Sequence, residues 1–118
     1  MKTKDDTVET NFHPRLTALL FELNKAYITW DAELIITSGS EHSAKHSFTS
    51  LHYADPCCAV DLRSWAIGRI PEAEDQLEIL TQIAIRFCAN AGIPPNWVEV
   101  ILESDHIHIE YQPKRRNT

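Results

Sequence analysis

Long apolar segments are absent from this chain of 118 residues. No run of about 18 consecutive apolar residues occurs, so we predict no transmembrane helix and no insertion into a membrane. The first residues, MKTKDDTVETN, also lack the apolar core of a secretory signal peptide. We therefore expect cytoplasmic synthesis and residence, unless a non-classical route exports the protein.

Cysteine and positive charge are scarce as well. Three cysteines are too few for a disulfide framework, and the adjacent Cys57 and Cys58 can bridge only through a strained ring, so we expect reduced thiols. The net charge is -6, whereas binding to nucleic acid usually depends on a surplus of lysine and arginine. This composition argues against a nucleic-acid partner.

What is present is the composition of a globular protein. Hydrophobic residues make up 43% of the chain and charged residues 24%, which is enough apolar material for one modest core. We predict a flexible N-terminal tail over residues 1–11, a single domain over 12–113 and a basic C-terminal tail over 114–118.

Apolar residues at helical spacing predict two amphipathic helices. The first begins at Pro14, and its apolar stripe consists of Leu16, Leu19, Leu20, Leu23 and Tyr27. The second runs from about Glu72 to Ala91 and ends at Gly92. Its apolar stripe consists of Leu77, Leu80, Ile83, Ala84, Phe87 and Cys88.

Four β-rich runs lie near residues 34–38, 58–64, 98–103 and 106–111, and the last two flank a predicted hairpin turn. In the last run His106, His108 and Glu110 alternate with apolar residues, so they share one face of the strand. We predict an α+β fold in which two principal helices cover one face of a small, mainly antiparallel sheet.

Four residues on or beside these strands have side chains that a borderline metal such as zinc prefers: His52, Asp61, His106 and His108. Their spacing alone leaves two interpretations open. One is a metal site, and the other is a set of unrelated loop and surface residues. His42 and His46, four residues apart in a serine-rich loop, similarly form either a second metal site or a solvated pair.

Two segments, SLHYADPCCAVDLR at 50–63 and ESDHIHIEY at 103–111, resemble a family of zinc peptidases that cleave bacterial cell walls. The family includes D-alanyl-D-alanine dipeptidases and carboxypeptidases, phage L-alanyl-D-glutamate endolysins and the related hedgehog amino-terminal domain. Its Ser-x-His, Ala-x-Asp and His-x-His elements match Ser50–His52, Ala59–Asp61 and His106–His108. The resemblance covers about residues 34–112 and implies a hedgehog/DD-peptidase-like fold.

The resemblance also implies roles for individual residues. One Zn²⁺ ion would be held by His52, Asp61 and His108, with a fourth position left for water. Asp105, three residues before the last ligand, would act as general base, and Glu103 is the alternative. His106 would donate to the oxyanion that forms on the scissile carbonyl.

Substrate contacts are assigned to Ser50, His46 and Arg63, although Arg63 can equally pair with a nearby carboxylate. Three departures from the family stand out, and one is the presence of Glu103 as well as Asp105 in the hairpin turn. The DPCC segment is a two-residue insertion that brings Cys57 and Cys58 near the metal. Glu41 also occurs where many members carry an arginine that grips a substrate carboxylate, which favours an endopeptidase over a carboxypeptidase.

These features predict a zinc-dependent peptidase whose partner is the stem peptide of peptidoglycan, either an endolysin-type endopeptidase or a DD/LD-carboxypeptidase. Such a protein would reach the cell wall by a phage-type or other non-classical route. One alternative is a catalytically inactive, zinc-stabilised binding or assembly module of hedgehog-like type. Another is a thiol-based metal or redox protein that uses Cys57 and Cys58.

Overall fold

The computed structural model describes residues 1–41, His52 and residues 56–113. Ser50, His42 and His46 therefore lie outside the described residues, as does the basic segment 114–118. Within the described part, neither helix has both the length and the apolar content that crossing a bilayer requires.

The described strands form one five-stranded sheet in the order β1-β2-β3-β5-β4. The strands are β1 (Lys2–Thr3), β2 (Ile35–Ser38), β3 (Ala59–Arg63), β4 (Val98–Leu102) and β5 (His106–Tyr111). Only the pairing of β1 with β2 is parallel among these strands, and the other three pairings are antiparallel. The predicted α+β fold with a mainly antiparallel sheet is confirmed, including the β4–β5 hairpin.

Two helices, α1 (Pro14–Thr29) and α2 (Ala73–Ala91), pack on one face of this sheet. Pro14 opens α1, and Gly92 ends α2 in the left-handed conformation (φ 68°) that a glycine adopts without strain. The helices share a core with the inward-facing strand residues Val60, Leu62, Ile107, Ile109 and Tyr111. Because strand side chains alternate, the polar residues of β3 and β5 lie on the opposite, open face.

A buried glutamine in the first turn of α2 fixes the segment that leaves β3. Gln76 is fully buried, and its Nε2 donates to the carbonyl oxygens of Ser64 and Pro71, each at 2.8 Å. The helix periodicity gave no reason to expect a buried amide there. These bonds tie the end of β3 to α2.

The N-terminal segment differs from the flexible tail that the sequence predicts. Lys2–Thr3 pairs with β2, the amide of Lys4 donates to Ile36 O at 2.8 Å, and Val8 is buried in the core. Further along, the amide of Ser40 donates to the carbonyl of Glu9 at 2.8 Å. An edge strand is held by backbone hydrogen bonds, which a polar sequence can make without an apolar pattern.

Gly39 lies where this N-terminal segment crosses the turn after β2. A Cβ at position 39 would lie only 2.1 Å from the carbonyl oxygen of Glu9. Only glycine lets the two backbones approach so closely. The contact therefore joins residues 1–11 to the turn at the end of β2.

Replacing this glycine should loosen the fold. We expect Gly39→Ala to lower the free energy of unfolding by about 1–3 kcal/mol, because the added methyl group must displace the Glu9 backbone. Urea denaturation measures the change. Ala66→Ser, at an exposed loop position, is the control and should stay within about 0.5 kcal/mol of the parent. An equally stable Gly39→Ala protein would show that the N-terminal segment does not pack on this turn in solution.

Candidate metal centre

The centre of the open face is the carboxylate of Asp61. The β3–β5 register places Asp61 directly opposite His108. The neighbouring residues on each strand, Val60 with Leu62 and Ile107 with Ile109, point into the core, so Asp61 and His108 point away from the helices. The strand alternation visible in the sequence therefore positions both side chains.

The structure brings the three predicted metal ligands together. His52, Asp61 and His108 each offer one ligand atom, and these atoms lie within 4.8 Å of one another. Asp61 Oδ1 is 2.6 Å from His108 Nδ1, and Asp61 Oδ2 is 3.5 Å from His52 Nε2. His52 is 1% exposed, and the side chains of Asp61 and His108 are 9% and 12% exposed. This largely buried group can hold a metal ion.

His52 is oriented by the turn that follows β2. Its Nδ1 lies 2.8 Å from the carbonyl oxygen of Gly39, and an Nδ1–H donor to that oxygen leaves Nε2 facing Asp61. Histidine ligands of metals commonly donate their second ring nitrogen in this way. The turn thus selects the ring nitrogen that faces the site.

Glu41 holds the same turn in place. Its carboxylate accepts hydrogen bonds from the Ser38 hydroxyl at 2.6 Å and from the amides of Gly39 and Glu9 at 2.8 and 3.0 Å. Burial opposes ionisation, but these hydrogen bonds outweigh it and lower the pKa of Glu41. Glu41 therefore supports the turn that orients His52.

His108 has an outer partner that the sequence did not identify. Its Nε2 lies 2.7 Å from Glu110 Oε1, and the side-chain amide of Gln112 donates to the other oxygen of Glu110. A carboxylate on the far ring nitrogen of a metal-binding histidine fixes its orientation and raises its basicity. The His-x-Glu spacing on β5 could have indicated this contact, because residues two apart on a strand lie side by side on the same face.

The charges of this group are strongly coupled. Burial alone would raise the pKa of Asp61, but hydrogen bonds from His108 and His52 hold it well below its ordinary range. Burial alone would lower the pKa of His52, yet its bonds to Asp61, Cys57 and Gly39 raise it to about 10. The pKa of His108 is raised in the same way, against burial, by Asp61 and Glu110. Without a metal, protons on the imidazoles neutralise Asp61.

The two candidate bases occupy different positions around His106. Glu103 Oε1 is 3.9 Å from His108 Nδ1, and Glu103 Oε2 is 3.7 Å from His106 Nε2. Asp105 instead contacts the outer nitrogen, His106 Nδ1, at 2.9 Å, and its side chain is 77% exposed. His106 Nε2 itself is 3.8 Å from Asp61 Oδ1. Glu103 is therefore the candidate whose carboxylate lies near the His108 nitrogen that faces Asp61.

The cysteines near the site are buried thiols. Cys57 is fully buried, donates to the carbonyl of Ala59 at 3.0 Å and also interacts with His52. Its sulfur does not join the group formed by His52, Asp61 and His108. Burial raises the pKa of the Cys58 and Cys88 thiols, which is unlike the lowered pKa of reactive cysteines. Cys57 therefore lies beside His52 without being one of the three candidate ligands.

No family model matches this chain, and no curated protein or solved structure gives a significant match. The resemblance to zinc peptidases therefore stays a prediction drawn from three short motifs. The observation that supports a metal-dependent function is that His52, Asp61 and His108, one from each motif, lie together.

The role of Glu110 can be tested by metal binding. We expect Glu110→Gln to weaken Zn²⁺ binding by about 10- to 100-fold, because a neutral amide supports the His108 imidazole less well than a carboxylate. Competition with a chromophoric chelator measures the affinity. Glu99→Gln is the matched control, since Glu99 lies opposite Glu110 and contacts Gln112. Equal losses in both variants would mean that only the net charge of the face matters.

Metal uptake should release protons. The pKa of His52, raised to about 10, implies that this ring is protonated near pH 7, and the pKa of His108 is raised in the same direction by Asp61 and Glu110, whereas ligation requires neutral imidazole. We expect release of up to two protons per Zn²⁺ and an affinity that rises with pH across the neutral range. Calorimetry in buffers of different ionisation enthalpy counts the protons. His106→Gln should leave the count unchanged, and no release from the parent protein would contradict the assigned charges.

Proposed function

We propose that this protein is a zinc-dependent peptidase that hydrolyses the stem peptide of bacterial peptidoglycan. The observation that carries the proposal is the convergence of His52, Asp61 and His108, which come from three separate motifs, at one buried point of the sheet. The order of those motifs along the chain, which resembles that of cell-wall peptidases, gives the substrate class.

The donor set suits zinc. Two imidazoles and one carboxylate are borderline ligands that zinc accepts, and three protein ligands are typical of catalytic rather than structural zinc sites. Zinc bound there would supply Lewis acidity toward water and toward a peptide carbonyl. The outer contacts of His52 to Gly39 and of His108 to Glu110 supply the orientation that such ligands need.

We assign the general base to Glu103. A base must lie within hydrogen-bond reach of the proton it removes, and the Glu103 carboxylate is 3.9 Å from a ligand atom of His108. It would take a proton from the attacking water and deliver it to the leaving amine. The motif resemblance favours Asp105 for this role, so Asp105 is the alternative assignment.

His106 and Asp105 act together in this scheme. Asp105 accepts from His106 Nδ1–H at 2.9 Å, which turns His106 Nε2 toward Asp61 and Glu103. A protonated Nε2 in that position can donate to the oxygen of a reacting carbonyl as negative charge develops on it. Asp105 is then a positioning residue, and His106 is the electrophilic catalyst.

Peptidoglycan digestion tests the proposal. The full chain with Zn²⁺ should release stem-peptide fragments that mass spectrometry identifies. We expect Glu103→Gln to lower the rate by about 10²- to 10⁴-fold while zinc stays bound, and Asp105→Asn to have a smaller effect. Ser104→Ala, in the same turn, is the matched control. A larger loss in Asp105→Asn than in Glu103→Gln would return the base to Asp105.

Two further outcomes separate the alternatives. Zinc binding without any fragment release would overturn the peptidase and favour a zinc-stabilised binding or assembly module. The double variant Cys57→Ser, Cys58→Ser should keep activity, because neither thiol belongs to the ligand group. Loss of activity in a variant that still folds and binds zinc would favour thiol chemistry.

A further inference from the structure

Arg63 is an arginine on the open face, beside the ligand group. It lies two residues after Asp61 on β3 and directly opposite His106 on β5. The described residues place no carboxylate within salt-bridge distance of its guanidinium, and its Nε is buried without a hydrogen-bond partner. From the sequence, one interpretation of Arg63 was an ion pair with a nearby carboxylate. The described residues do not form that ion pair.

An aromatic ring holds this arginine instead. The central carbon of the guanidinium lies 4.2 Å from the centroid of the Trp65 ring. Ser64, between the two residues, is buried, and its carbonyl accepts from Gln76 on α2 at 2.8 Å. Stacking occupies one flat side of the guanidinium without using its N–H donors, so the group is oriented before any ligand arrives.

The distance along the strand fits a peptide. Residues two apart on a strand are about 7 Å apart, so the Arg63 backbone lies about two extended residues from that of Asp61. A substrate whose carbonyl reaches the metal position would present a group one or two residues away to the guanidinium. The planar N–H edge of arginine matches the two oxygens of a carboxylate.

We propose that Arg63, held by Trp65, is a carboxylate-binding subsite that selects peptides with a carboxylate one or two residues from the scissile bond. The proposal rests on the proposed peptidase function. The carboxylate belongs either to an acidic side chain or to the C-terminus of the peptide, and both present the same pair of oxygens. Arg63 is the specificity residue, and Trp65 is a positioning residue that acts through it.

Four synthetic stem-type peptides distinguish these sources. They carry a free or amidated acidic residue combined with a free or amidated C-terminus. With Zn²⁺ present, we expect Arg63→Gln to lower kcat/KM by at least about 10-fold for peptides that hold the recognised carboxylate. The doubly amidated peptide should be cleaved slowly and equally by both proteins. The source of the carboxylate is identified by the peptide whose higher kcat/KM, relative to the doubly amidated peptide, is lost in Arg63→Gln.

Matched variants separate recognition from folding. Arg63→Lys keeps the charge but not the planar edge, so its loss should be intermediate. Trp65→Phe should retain most of the selectivity, whereas Trp65→Ala should reduce it without changing cleavage of the doubly amidated peptide. Arg69→Gln, in the exposed loop that follows, removes one positive charge elsewhere and should leave selectivity unchanged. Equal zinc affinity of all variants shows that the fold is intact.

A binding measurement makes the subsite testable without turnover. Zinc-loaded Glu103→Gln protein should bind the acidic peptides more tightly than the doubly amidated one, and adding Arg63→Gln should remove the difference in calorimetry. If the parent protein cleaves none of the peptides but shows this difference, the peptidase proposal fails and the subsite stands. If the parent cleaves all four peptides with the same dependence on Arg63, the subsite is overturned while the peptidase stands.

Discussion

The site depends on a carboxylate that the fold buries beside imidazole rings. Removing a charge such as that of Asp61 from water costs several kcal/mol, and the cost is recovered only through close, well-directed partners. His108 at 2.6 Å and His52 at 3.5 Å supply them. In the metal-free protein, protons on these rings balance the charge. A divalent ion would replace those protons, so the same geometry that neutralises Asp61 prepares it to bind metal.

The sheet separates this chemistry from the core. Along β5, Ile107 and Ile109 pack against the helices while His106 and His108 line the open face, so one alternating strand serves both purposes. Each of the two ligand histidines is oriented by a group other than Asp61. His52 is turned by the backbone at Gly39, where the N-terminal segment crosses, and His108 by the Glu110 carboxylate. The precision of the ligand group thus comes from its surroundings.

Much of the fold and of the candidate site could be predicted from the sequence, because the patterns that indicate them lie within short segments of the chain. The alternation of β5, the apolar stripes of both helices and the three motifs all lie within short segments. Features fixed by contacts between distant residues could not be predicted. The strand Lys2–Thr3 has no apolar pattern, and the choice between Glu103 and Asp105 depends on how the hairpin turn directs two acids on either side of Ser104. The sequence left Arg63 open to substrate binding or to pairing with a nearby carboxylate, and only the folded chain shows it stacked on Trp65.

The pairing of β3 with β5 has a consequence for the order of events during folding. Asp61 and His108 are 47 residues apart in the chain, and they meet only when these two strands align in register. Pairings of such long range form late, because the loop between the strands loses its entropy before the contact is made. A shift by one residue would point His108 into the core. Capture of a metal ion by this group would therefore report that the sheet has reached its correct alignment.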